Sequence, residues 1–255
     1  MLVFSLSLVL FAVTAVNSYP TKDNRLLAVR KIPTEKEMIL EENDILPVPV
    51  QPRNGLKSDR YRWPDAVVYY EFDSVFDDKQ RTLIREAFNE VEHVTCVKFQ
   101  PRLDVNKDYV YISGEDSGCN SHVGRIGGKQ TMNLKLDGCL YIGTIIHESL
   151  HSLGFKHEHM ASNRDDYILV ETENISTQYL YAFEKLSPLY ITDFGVPYDY
   201  NSIMHYAEKA FTKNGKSTIV PLTSGAKIGQ RLGLSINDIR KINLMYKCPA
   251  SQYLN

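Results

Sequence analysis

The sequence predicts an α+β fold, and three observations carry that reading. The run Val67-Val68-Tyr69-Tyr70-Glu71-Phe72 has the β-branched and aromatic content of a buried strand, and shorter runs of the same kind follow it. Three segments place apolar residues at helical spacing between recognisable start and stop signals. No period of about 20 to 50 residues recurs, which excludes a repeat array. Strands gathered early and helices late read as α+β.

The elements can be justified in order. From Leu2 to Val16 the chain reads LVFSLSLVLFAVTAV, without a charge, followed by small residues around Ser18. This is the pattern of a secretory signal over residues 1–18. The run falls short of the roughly 20 apolar residues that span a bilayer, so no membrane anchor is expected. Residues 19–53 carry six basic and six acidic residues and end in Pro47-Val48-Pro49-Val50-Gln51-Pro52-Arg53. Such a stretch cannot pack a core, and its extended end before a single Arg suits an activating protease. It reads as a propeptide cut after Arg53, leaving residues 54–255 as one catalytic domain.

In that domain, strand Val67–Phe72 precedes a helix from Asp77 to His93, with Leu83, Ile84, Ala87, Phe88 and Val91 on one face. Short strands are expected at Val97–Phe99, Tyr109–Ser113 and Thr131–Leu136. A second helix runs from Ile142 to Leu153 and is closed by Gly154. A last helix lies near Ile236–Tyr246, capped by Ser235 or Asn237. The rest of the second half reads as mixed loops.

Composition bounds the function. With 29 Lys+Arg against 31 Asp+Glu the net charge is −2, which argues against nucleic acid as a partner. The four cysteines, Cys96, Cys119, Cys139 and Cys248, suit two disulfides, a zinc site or buried thiols by count alone. Export to an oxidising compartment favours disulfides. Asn174-Ile175-Ser176 is an N-glycosylation acceptor sequence.

The chemistry concentrates in His147-Glu148-Ser149-Leu150-His151-Ser152-Leu153-Gly154-Phe155-Lys156-His157-Glu158. On a helix, residues four apart lie on one face, so His147 and His151 can reach one zinc ion. Gly154 can take the left-handed conformation that turns the chain back and lets His157 supply a third nitrogen. Three protein ligands leave an open coordination position, and Glu148 stands beside the first of them. The pattern H-E-x-x-H-x-x-G-x-x-H is the metzincin signature, and Ser202-Ile203-Met204-His205-Tyr206 supplies the methionine of the Met-turn such chains carry, Met204.

Taken with Arg164-Asp165-Asp166-Tyr167, Ser117-Gly118-Cys119, Val123-Gly124-Arg125, Gly143-Thr144-Ile145-Ile146 and Thr218-Ile219-Val220-Pro221-Leu222, these motifs resemble the astacin family of zinc endopeptidases over about residues 54 to 250. The resemblance implies a two-lobed metzincin fold: an N-terminal twisted sheet with two helices, a more irregular C-terminal lobe, and one zinc in the cleft between. By the same match His147, His151 and His157 bind zinc, Tyr206 is an additional labile ligand, and Glu148 is the general base that deprotonates the attacking water. Cys96 would pair with Cys248 and Cys119 with Cys139. An edge strand at Cys119, Asn120, Ser121 and His122 would pair with extended substrate. The new amino terminus at Asn54 would be buried against Glu158, and Asp44 would be the carboxylate that keeps the precursor latent by taking the water's place on zinc. Ala161 and Asn163 depart from the Arg and Asp usual after the zinc motif, which weakens the expectation of ion pairs there. His93, His122, His159 and His205 read as structural or surface residues.

The expected protein is thus a secreted, monomeric zinc endopeptidase made as a zymogen, acting on protein or peptide substrates without accessory domains. The rival reading is a catalytically silent secreted zinc-binding or adhesion protein.

Overall fold

A computed structural model describes residues 44–46 and 56–249. The expected signal segment 1–18, most of the propeptide 19–53, the Arg53 cut and Asn54 lie outside the described residues. No helix among the described residues is long and apolar enough to cross a membrane.

A five-stranded sheet forms one lobe: β1 (Val67–Phe72), β2 (Lys98–Pro101), β3 (Tyr109–Ser113), β4 (Cys119–Ser121) and β5 (Lys129–Leu134), in the order β2-β1-β3-β5-β4. All neighbours are parallel except β4, which runs antiparallel to β5 at the edge. Parallel strands need a crossover longer than a tight turn. Helix α1 (Asp78–Val94) provides it between β1 and β2, so strands and helices interleave here more than the run of sequence elements suggests. The cause is pairing, which local periodicity does not encode.

Helix α1 begins with a capping box: Gln80 N–H donates to Asp77 Oδ1 at 2.8 Å, and Asp77 N–H donates to Gln80 Oε1 at 2.9 Å. Its buried face, Ile84, Ala87, Phe88 and Val91, is the predicted one, and Phe88 stacks on Phe99 of β2 at 4.2 Å between ring centroids. Burying Ile84, Phe88 or Val91 fully is worth about 1.5–3 kcal/mol each. Strands β2 and β5 are shifted by one or two residues from expectation, because the ladder to β1 and β3 sets their ends.

Helix α2 (Ile142–Leu153) carries the zinc motif and is buried on every side. A buried helix must find partners for its last four carbonyls. Here Phe155 N–H donates to Leu150 O, and Gly154 and Gly124 N–H to His151 O. Trp63 Nε1 donates to Ser152 O at 2.8 Å, and the Tyr246 hydroxyl to Leu153 O at 2.8 Å. Gly154 ends the helix at φ 112°, as its type predicts. Helix α3 (Ile236–Met245) is capped by Ser235.

A second apolar cluster, including Ile168, Ile175, Phe183, Tyr198, Tyr206, Phe211 and Ile219, builds the other lobe. It contains a two-stranded sheet of β6 (Ile168–Val170) and β7 (Ile219–Pro221). The loop reading of this region missed both strands: three residues each, about fifty positions apart, are too short for an alternation to register. The disulfides are Cys96–Cys248 and Cys119–Cys139, the implied pairs. After the zinc motif the loop is still braced by ions, since Asp165 accepts from Arg164 Nε at 3.0 Å and pairs with Lys185.

Candidate active site

The helical spacing of α2 and the turn at Gly154 bring His147, His151 and His157 to one point, all at most 1% exposed. His147 Nδ1 donates to Ile203 O at 2.8 Å and His151 Nδ1 to Phe155 O at 2.7 Å. These bonds fix the tautomer, so both Nε2 lone pairs point inward. At the meeting point lies Asp44 Oδ2, 2.9 Å from His147 Nε2, 2.9 Å from His157 Nε2 and 3.5 Å from His151 Nε2. The four ligand atoms lie within 4.8 Å of one another.

That donor set is the test of fit. The Nε2 atoms of His147 and His151, committed to the Nδ1–H tautomer, and a carboxylate oxygen are all acceptors, and acceptors converge in a dry site only around a cation or a shared proton. Three His nitrogens with one oxygen suit zinc in tetrahedral coordination. Burial would raise the Asp44 carboxyl, but His157, His151 and His147 around it hold it well below the usual carboxylate range. Burial pushes His157 down to about 3, keeping it neutral and able to ligate.

Glu148 follows His147 on α2 and is fully buried. Tyr206 is 4% exposed, and its ring lies 4.3 Å from that of His157 and 4.1 Å from that of His159. Met204 packs in the first core cluster and Tyr206 in the second, so the segment expected as the Met-turn passes from one lobe to the other, and it touches the site through Ile203 O, which accepts from His147 Nδ1. His159 and His205 are buried and bonded within the fold, to Ala182 O and to Tyr198 and Tyr206 O, as structural histidines.

The edge strand holds a segment of the expected propeptide. Ser121 N–H donates to Asp44 O at 2.7 Å and Leu46 N–H donates to Ser121 O at 2.9 Å, with Ile45 in parallel register to Ser121. The strand proper covers Cys119, Asn120 and Ser121; His122 instead donates its N–H to Thr131 O at 3.3 Å.

Two expectations meet a different environment. Glu158 has its charge partner within the chain: both carboxylate oxygens accept from Lys241 Nζ, at 2.8 and 2.6 Å, and Oε1 also accepts from Asp199 N–H at 2.9 Å. Asn174 is 8% exposed, with Nδ2 donating to Ser217 O and Oδ1 accepting from Asn214 Nδ2, both at 2.8 Å. The amide nitrogen that a glycan would modify is therefore built into the fold rather than offered to solvent. Sequence reasoning missed Lys241 and Asp238 altogether, although Asp238 stands three residues after Ser235, the spacing of a capping box.

Comparison with known proteins agrees with this geometry. The family described as Astacin (Peptidase family M12A) matches residues 55–247. Zinc metalloproteinase nas-14 of Caenorhabditis elegans is 43% identical over 187 residues, 73% of this chain, which spans only 37% of that relative's length. Seminal metalloprotease 1 of Drosophila melanogaster is 40% identical over 218 residues, covering 82% of this chain and 86% of the relative. Among solved structures, high choriolytic enzyme 1, a hatching enzyme zinc-protease from the medaka Oryzias latipes, superposes with a TM-score of 0.72 at 35% identity, over 77% of this chain and 100% of that one. Sequence, fold and donor set thus agree, and the chain belongs to the astacin family of peptidases, M12A.

Proposed function

We propose that the chain is a secreted zinc endopeptidase, made as a latent precursor and activated by a cut after Arg53. The observation that carries the reading is the convergence of three histidine nitrogens and the Asp44 carboxylate on one buried point beside a sheet edge that residues 44–46 occupy. Zinc bound there supplies Lewis acidity, polarising a peptide carbonyl and lowering the pKa of water. Glu148, adjacent to the first ligand, accepts the proton of the attacking water and returns it to the departing amine. The Tyr206 hydroxyl donates to the oxygen that gains negative charge. Strand β4 aligns an extended substrate by backbone hydrogen bonds, the same bonds that residues 44–46 use in the precursor. Latency then has two parts, a carboxylate at the metal position and an occupied sheet edge. Two disulfides fit the oxidising compartment that a signal at residues 1–18 implies.

The deciding experiment compares processed parent and Glu148→Gln on unfolded protein substrate, with zinc content measured on both. The expected outcome is equal zinc, cleavage by the parent that a chelator abolishes, and none by the variant. A variant that digests substrate at the parent's rate refutes Glu148 as the base. Amino-terminal sequencing of the secreted product finds Asn54 first if the Arg53 cut is correct.

A further inference from the structure

Helix α3 carries two buried charges one turn apart, Asp238 at 3% and Lys241 at 8% exposure. Lys241 is not needed to make a helix, and Asp238 needs only its bond from Ser235 N–H to close the capping box there. A capping side chain at the surface satisfies the first turn, and an ammonium taken out of water costs several kcal/mol unless it is paired. Their partners explain their presence.

Asp238 accepts three bonds from outside its own turn or at its border: Ser202 Oγ–H at 2.6 Å to Oδ1, and the N–H groups of Ile203 at 2.9 Å and Ser235 at 3.0 Å to Oδ2. Ser202 Oγ in turn accepts from Met204 N–H at 3.1 Å. That N–H belongs to the same planar peptide unit as Ile203 O, the oxygen to which His147 Nδ1 donates. A continuous chain therefore runs from Asp238 through Ser202 and one rigid peptide plane to the first metal ligand. Lys241 repeats the device for the third. It holds both oxygens of Glu158, the residue after His157, while Glu158 N–H donates to Met204 O at 2.9 Å. Both chains end on the Met-turn and on a ligand, and both begin on the same face of α3.

Resting on the reading of the three histidines as a metal site, we propose that Asp238 and Lys241 are positioning residues for it: α3 is a two-point brace that fixes the orientation of His147 through Ser202 and the Ile203–Met204 peptide, and the position of His157 through Glu158. Groups that orient metal ligands from behind typically alter metal affinity by about 10- to 100-fold when removed.

The test uses the full chain and measures zinc affinity by chelator competition and the visible spectrum of the Co²⁺-substituted protein, at temperatures where each variant is as fully folded as the parent. Asp238→Asn and Lys241→Met are expected to weaken zinc binding about 10- to 100-fold and to shift the Co²⁺ spectrum. Asp77→Ala, which removes the N-cap of the capping box on α1, is expected to lower stability by about 0.5–2 kcal/mol and leave both readouts unchanged. In a Glu158→Gln background Lys241→Met should add no further loss, since it acts through Glu158. If Asp238→Asn does not fold, Ser202→Ala breaks the same chain while leaving Asp238 its two backbone donors, and a weaker zinc affinity is again expected. Affinities within twofold of the parent for Lys241→Met and for either break of the Asp238 chain would overturn the proposal. A parent chain that binds no zinc overturns instead the metal-site reading on which it rests.

Discussion

Gly143 offers a clean test of how α2 is held. It sits at the second position of the helix, and a Cβ built there would lie 1.9 Å from Arg231 O and 2.5 Å from its carbonyl carbon. Ordinary contact begins at 3.4 Å, so Gly143→Ala demands a separation of about 1.5 Å between the helix and the Arg231 backbone. Neither side can yield cheaply. The far end of α2 is pinned by four satisfied carbonyls, and Arg231 Nη1 donates to His205 O at 3.1 Å beside the Met-turn. Alanine should gain about 1 kcal/mol from helix propensity, whereas overpacking costs about 1–3 kcal/mol and more when backbone must move. Because the atoms met are backbone, the upper end of that cost applies and the net expectation is a loss of roughly 2 kcal/mol or more, which for about 200 residues lowers Tm by about 2–4 °C per kcal/mol. A displacement near 1 Å at the reacting groups costs about 100-fold in turnover. Urea unfolding and kcat/KM on a peptide, with Gly127→Ala as control, decide it. Gly127 has open space around its Cβ position and a φ of +89°, so alanine there carries only backbone strain. A Gly143→Ala enzyme as stable as the parent, with full turnover, refutes the close approach.

Further expectations follow from the same structure. Replacing Cys96 and Cys248 by Ser should cost about 5 kcal/mol from their separation of 152 residues, against about 3 kcal/mol for Cys119 and Cys139 at 20, read as the shift in urea midpoint. Burial pushes His205 down to about 4 from 6.5, so the unfolded chain takes its proton near 6.5 while the folded chain refuses it until about 4. The stability this group contributes is full above 6.5 and falls by about 3 kcal/mol as pH drops to 4, a slope that His205→Asn should flatten in Tm against pH. With Arg53→Ala blocking maturation, Asp44→Ala should release measurable peptide cleavage from an otherwise silent precursor. Mass spectrometry of the secreted chain should find Asn174 without a glycan, because its amide is buried and doubly bonded.

The parts of the fold legible in the sequence are those governed by local periodicity and local caps. Helix α2 and its Gly154 stop could be read to the residue, because His147 and His151 stand at helical spacing just before a glycine suited to end the helix. Strands β6 and β7 could not, since each exists only by pairing with a segment about fifty positions away. The same division runs through the site. His147, His151, His157 and Glu148 announce themselves by spacing, whereas Asp238 and Lys241 look like ordinary charges on an amphipathic helix, and only tertiary structure turns them inward. Trp63 and Tyr246 belong to this second class as well, since a helix's need for carbonyl partners is predictable but the suppliers are not.

Glu158 is where the structure most changes the design of an experiment. The resemblance implies the amino group of Asn54 as its partner, yet in the uncleaved chain Lys241 already neutralises Glu158, beside a cavity of about 180 Å³ whose lining includes Lys57, Asp193 and Tyr198. Leu56 is bridged to Ile191, another residue of that lining, so the chain at Leu56 and Lys57 lies at the cavity wall. Glu158→Gln alone therefore says nothing about the amino terminus: it strands the Lys241 ammonium, and breaking a buried pair costs about 3–5 kcal/mol in either form of the protein. The informative quantity is the difference between the losses in the processed chain and in the uncleaved chain. If Asn54 joins Lys241 at Glu158 after the cut, the processed form should lose about 1.5–3 kcal/mol more, the worth of one further hydrogen bond to a charged group. Lys241→Gln should enlarge that excess, because Glu158 then has the amino terminus as its remaining cation. Equal losses in both forms, measured by urea unfolding, would mean that Lys241 is the whole of Glu158's charge pairing and that maturation leaves this corner of the site unchanged.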